Sequence, residues 1–165
     1  MQDGKVAQID ETQALFRKPA TTWVAELVGY ANTLTGRVLR RKDDWALVQT
    51  GQNSLWAQCR DGAMAVGDAA QVMFQPRGCQ LIRQQTPATG NLNALPVQVE
   101  QQVFEGHGWR IHCLHGAHSL QVHDTRPYYH GADMLGTFEN AATHAYRAEE
   151  PDVDTERASE TARIA

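Results

Sequence analysis

The chain has 165 residues, 42% of them hydrophobic, and a formal net charge of −4 with pI near 5.9. That length suits one domain with appendages, and the acidic balance argues against a nucleic-acid partner, whose footprint would be a basic patch. No apolar run reaches the ~20 residues of a membrane span, and no basic start precedes an apolar stretch as in a signal peptide.

In chain order, the opening MQDGKVAQ carries Asp3-Gly4, a dipeptide suited to the positive φ angles of a tight hairpin turn. Lys5–Gln8 form the expected second strand, but only Met1 and Gln2 precede the turn. The chain therefore reads as starting inside a longer protein. A helix is expected from an Asp10 N-cap, with Gln13 completing a capping box, to Lys18 before Pro19. A second starts at Thr21 or Thr22, places Val24, Leu27 and Val28 on one face, and stops at Gly29. Helices this short are unstable alone and need a sheet to pack on. From Asn32 the pattern turns β-rich: Gly36–Leu39, Trp45–Thr50, Ser54–Cys59, Ala70–Gln75, Val97–Phe104, Trp109–Leu114, Ser119–His123 and Met134–Phe138. Gly, Asn and Asp separate these runs as turn residues. Regular short strands without long helices indicate a small barrel or sandwich. Residues 147–165 are charged, nearly free of large apolar groups, and read as a disordered tail.

The β-rich part repeats itself. WALVQTGQNSLWAQ (45–58) resembles WRIHCLHGAHSLQVH (109–123). Trp45 and Trp109, Gly67 and Gly131, and Phe74 and Phe138 each stand 64 residues apart. NTLTGRV (32–38) and NALPVQV (93–99) open the two halves, about 31–85 and 91–146. A half of ~60 residues makes a marginal core, so the two are expected to share one.

The first 38 residues resemble the junction in ATP-binding subunits of bacterial ABC importers. Asp3-Gly4-Lys5-Val6-Ala7-Gln8 matches the last hairpin of the nucleotide-binding domain. Leu15-Phe16-Arg17-Lys18-Pro19-Ala20 and Val24-Ala25-Glu26-Leu27-Val28-Gly29 match the helical stretch that follows. Asn32, Leu34, Gly36 and Val38 match the entry into the accessory β domain. The resemblance implies a mainly β fold: an OB-like (TOBE) barrel of two related halves over 31–146, preceded by a short hairpin and two short helices. Residues 1–30 would be the remnant of the nucleotide-binding domain. Where family members carry Arg-Pro-Glu, this chain has Gln75-Pro76-Arg77. It also carries no GxxxxGK[ST] loop to cradle phosphates, no signature motif and no Walker B acidic pair. The chain itself is therefore expected to be no enzyme and to hold no cofactor; ATP and Mg²⁺ belong to the parent subunit. The resemblance further implies a homodimer, contact with the catalytic domain and the transporter permease, and a cytoplasmic place, peripheral at the inner membrane through the transporter. NTLTGRV is also similar to the start of molybdate-binding Mop domains, which implies the alternative of a stand-alone oxyanion-binding module.

The run HCLHGAHSLQVH offers His112, Cys113, His115, His118 and His123. Imidazole and thiolate suit zinc or copper, and His115 and His118, flanking a glycine turn, are the candidate metal pair. Exposed hairpin histidines are the simpler reading. Cys113 alternates with Ile111 on a strand, which favours a core role over a nucleophile. Cys59, Cys79 and Cys113 form neither a CxxC pair nor a disulfide framework and read as small buried residues. Trp45 and Trp109 read as equivalent core plugs, and Arg40, Arg41 and Lys42 as solvated charges.

Overall fold

The computed structural model describes residues 4–83 and 90–148. Residues 1–3, Asp3 among them, 84–89 and 149–165, which include most of the span read as a tail, lie outside the described residues. Two helices precede ten strands: α1 Thr12–Arg17, α2 Thr22–Leu27, β1 Asn32–Lys42, β2 Trp45–Thr50, β3 Asn53–Cys59, β4 Ala69–Phe74, β5 Cys79–Ile82, β6 Leu92–Phe104, β7 Trp109–His115, β8 His118–Asp124, β9 Asp133–Glu139 and β10 Thr143–Arg147. The expected OB-like architecture of two related halves is present.

The alternation of each run decides its faces. Ala46, Val48, Leu55 and Ala57 point inward at full burial, while their neighbours on β2 and β3 do not. β1, β2, β3, β10 and β4 close a barrel; β5, β9, β6, β7 and β8 form a second, curled sheet. Buried residues of both halves, from Leu34 through Val97 to Phe138, belong to a single cluster. Phe74 and Phe138 stack at its centre, 4.0 Å between centroids and 5° between planes.

The halves exchange a strand. β5 leaves the first half and pairs with β9, Cys79 opposite Phe138. β10 leaves the second and pairs with β4, Thr143 opposite Phe74. β10 also runs parallel to β3 through His144 and Ala145, which closes the barrel. Both exchanged strands follow a single 3₁₀ turn, Pro76–Gly78 and Asn140–Ala142. Neither was expected from the sequence. β10 extends to Arg147, one residue into the span read as tail, and Arg147 pairs with Asp68 at 2.7 Å.

The repeat also shifts within the chain. β1 and β6 bulge at matching places, between Val38 and Arg40 and between Val99 and Gln101. In the β2–β3 and β7–β8 hairpins the buried positions are Ala46, Val48 and Thr50 against Ile111, Cys113 and His115, a spacing of 65 residues. Trp45 and Trp109 are thus not equivalent, and neither is a core plug. Trp109 is half-buried and packs on the core cluster. Trp45 is half-buried on the outer face of β2.

At the start of the chain, Lys5 makes an isolated bridge and residues 6–10 are irregular in place of the expected strand. Glu11 rather than Asp10 stands at the N-cap of α1, without a side-chain cap; the Asp10 carboxylate instead accepts from Gln8 Nε2 at 3.1 Å. α2 is capped as expected, Thr21 Oγ1 accepting from Val24 N. The barrel supplies the surface that α2 needs. Val24 and Ala25 are buried, and Ala25 clusters with Tyr30, Met73 and Tyr146 on the outside of β4 and β10.

Candidate functional site

Five of the family-motif positions, Gln8, Pro19, Val24, Ala25 and Gly29, lie in the helical segment that leads into the barrel. Gln8 spans the turn between the helices: its amide donates to the Lys18 carbonyl at 3.3 Å and accepts from Ala20 N at 2.8 Å. Pro19, buried between them, accepts from the Tyr146 hydroxyl of β10 at 2.9 Å through its carbonyl. Gly29 takes φ +95°, the left-handed conformation that ends α2 and turns the chain toward β1. Gly4, also at positive φ, lies outside this contact. Leu34 is fully buried. Gly36 lets β2 approach closely: a Cβ there would stand 2.0 Å from the Gln49 carbonyl oxygen. Pro76 is buried at the first position of its 3₁₀ turn, where no N–H is needed.

Asn32 does the work of a missing strand neighbour. Its side-chain amide donates to the Gln121 carbonyl at 2.8 Å and accepts from the Gln121 N–H at 2.7 Å. Asn93 repeats the arrangement on Trp56, at 2.8 Å in both directions. Each half is thus pinned by the other half's first strand.

Sequence reasoning missed a buried polar pair at the same joint. The Tyr30 hydroxyl donates to the Phe16 carbonyl at 3.0 Å and lies 3.1 Å from His144 Nε2. Its one proton is committed to Phe16, so His144 Nε2 carries the donor hydrogen. Burial, with the Arg60 charge nearby, lowers the His144 pKa to about 4, so the ring is neutral near pH 7. Burial likewise raises Tyr30 and Tyr146 above the ordinary tyrosine range.

Among the described residues, three surface clefts flank the barrel and the second sheet. One of about 790 Å³ is walled by Trp45, Trp56, Lys42, Asp43 and Glu139. Another of about 700 Å³ lies between the β2–β3 and β7–β8 turns. A third, of about 250 Å³, gathers Arg77, His107 and His123 beside Glu105 and Asp124. Desolvation lowers the His123 pKa. His115 and His118 face each other across the β7–β8 turn at the second cleft, but His115 Nδ1 is engaged by the Pro96 carbonyl at 2.8 Å. His112 sits opposite Gln121, away from that turn. Among the described residues no group of three or more His, Cys, Asp or Glu is placed to hold a metal ion. Burial pushes the Cys79 thiol up to about 12 and Cys113 to about 11, far from a reactive thiolate. Arg41 is not merely solvated: it donates to the Met64 and Asp43 carbonyls at 2.9 Å.

No family model matches the chain. It is 20% identical over 107 residues, 65% of its length, to the spermidine/putrescine import ATP-binding protein PotA of Thermotoga maritima, covering 29% of that protein. To PotA 1 of Pseudomonas aeruginosa it is 27% identical over 107 residues, 64% of this chain and 27% of that one. The chain thus spans less than a third of the curated relatives it matches. Among solved structures, the cytoplasmic molybdate-binding protein ModG, crystallised with molybdate bound, shares its fold at TM-score 0.61 and 13% identity, covering 72% of this chain and 96% of that one. The resemblance to the C-terminal part of ABC importer ATP-binding subunits, and the OB-like barrel, therefore stand. Among the described residues no helix is long and apolar enough to cross a membrane.

Proposed function

We propose that this chain is the accessory, regulatory β region of the ATP-binding subunit of a bacterial ABC import system, with the joint that ties it to a catalytic domain. One observation carries the reading: Gln8 and Gly29 shape the helical segment, while Pro19 and Ala25 seat it on the barrel and Val24 is buried beside them. A free-standing barrel needs no such segment. The chain works by binding partners, not by chemistry. Its glycines form no phosphate-wrapping loop with a following Lys and hydroxyl. ATP and Mg²⁺ act in the parent subunit. The partners are the catalytic domain, the permease and a second copy, with the cytoplasmic face of the inner membrane reached only through the transporter. Phe16 and Leu27, 50% and 70% exposed, supply part of the apolar contact surface.

The test is ATP turnover and nucleotide calorimetry on the purified chain, with sedimentation over the micromolar range. Neither turnover nor micromolar ATP affinity is expected, and the chain should dimerise. Turnover that survives repurification would overturn the reading. The fold shared with ModG supports a second reading, a small oxyanion-binding module. Calorimetry with molybdate, tungstate and sulfate separates the two.

A further inference from the structure

The largest of these clefts brings two indoles together with two carboxylates. Trp45 and Trp56 lie on neighbouring strands, where Trp45 faces Gln58 and Leu47 faces Trp56. They are diagonal neighbours on the outer face of one hairpin, within reach of a shared ligand. Both are half-buried. Asp43, from the β1–β2 turn, and Glu139, from the end of β9, add two exposed carboxylates. Among the described residues neither carboxylate makes an ion pair. Among the described residues Lys42 is the one basic side chain lining the cleft, and the Arg41 guanidinium is engaged by the Met64 and Asp43 carbonyls.

The internal repeat shows that the fold does not require this lining. Core positions keep their residue or its type between halves: Leu55 and Leu120, Val38 and Val99, Phe74 and Phe138, Asn32 and Asn93. At the cleft the counterparts change class. Spacings of 65 in the hairpins and 64 after them place Arg110 and Gln121 where Trp45 and Trp56 stand, and Gln75 where Glu139 stands. The third cleft gathers Arg77, His107 and His123 with Glu105 and Asp124 and holds a single indole, Trp109.

We propose that the Trp45–Trp56 cleft binds a small organic ammonium ion, held over the indole faces and against the Asp43 and Glu139 carboxylates. Indole is the strongest aromatic partner for a cation, and partial burial strengthens that attraction. Two carboxylates disfavour an anion. A bare metal ion would gain nothing from the indoles and finds too few ligands here. This inference does not depend on the parentage of the chain.

The test is calorimetry, with intrinsic tryptophan fluorescence, on the full chain titrated with tetramethylammonium chloride and with butylammonium chloride. Sodium chloride at matched ionic strength and sodium sulfate are the controls. Saturable binding of at least one ammonium salt is expected, without saturation by either control. Glu139→Gln and Trp56→Leu should each weaken it about tenfold. Glu139 is exposed, so its variant should melt with the parent and decides the matter even where Trp56→Leu does not fold. No saturation by either ammonium salt would overturn the proposal. So would saturation by sulfate, or unchanged affinity in Glu139→Gln or in a folded Trp56→Leu. ATP calorimetry and sedimentation are untouched by any of these outcomes, so failure here is distinguishable from failure of the functional reading.

Discussion

Asn32→Ala tests whether side-chain amides hold the two halves together. Asn32 is 1% exposed, and its amide satisfies both backbone groups of Gln121 on β8, at 2.7 and 2.8 Å. Truncation leaves an N–H and a C=O unpaired at a partly buried site. Each unsatisfied group costs about 1–3 kcal/mol, and partial burial of Gln121 favours the low end. The expected loss is about 2–3 kcal/mol. For a chain of this length that lowers the melting temperature by about 4–12 °C. Asn32→Asp sharpens the test. A carboxylate still accepts from the Gln121 N–H but faces the Gln121 carbonyl oxygen with no hydrogen between them. It should destabilise at least as much as alanine at neutral pH and recover partly in acid. Urea unfolding with thermal melts measures both. A loss below about 0.5 kcal/mol for Asn32→Ala would refute the pinning role. Asn93→Ala, which frees Trp56 in the same way, should match it.

Further outcomes follow from single contacts. Gly36→Ala drives a Cβ to 2.0 Å from the Gln49 carbonyl oxygen, so backbone must shift; a loss of about 1–3 kcal/mol is expected. Gly136→Ala meets its neighbours at 3.6 Å or more and should be nearly neutral, as paired urea melts would report. His144 has its folded pKa lowered to about 4 from 6.5. Below 6.5 the unfolded chain therefore binds the extra proton, and stability present above pH 6.5 is lost as pH falls toward 4. The loss is on the order of 3 kcal/mol. His144→Gln should flatten that part of the stability–pH curve, and an unchanged slope would count against it. In hydrogen exchange, Leu15 and Phe16 of α1, a helix with no buried residue, should exchange faster than Val48 and Ile111, both fully buried. Val24 should fall between them, and equal protection throughout would contradict this ordering.

Local chemistry was enough to write much of this protein into its sequence. The period-two alternation of β2, β3, β7 and β8 is readable because one face meets the core and the other meets water. Thr21 and Gly29 marked the ends of α2 because capping and left-handed geometry are properties of single residues. The repeat announced two related halves. Only the tertiary structure decided how they join. β5 escaped detection because it is only four residues long, and β10 because it lacks alternation; Thr143–Tyr146 is buried throughout, the barrel core on one side and the helical joint on the other. Its His reads as polar in sequence, and only the fold brings the partners that bury these groups: Asn93 for Thr143, Tyr30 for His144. The shift of the repeat from 64 to 65 residues, which separates Trp45 from Trp109, is likewise set by which side chains face inward. The ammonium cleft belongs to the same class. Asp43, Trp45, Trp56 and Glu139 are scattered along the sequence, and only the closing of β10 against β3 and β4 places the end of β9 beside the β2–β3 hairpin.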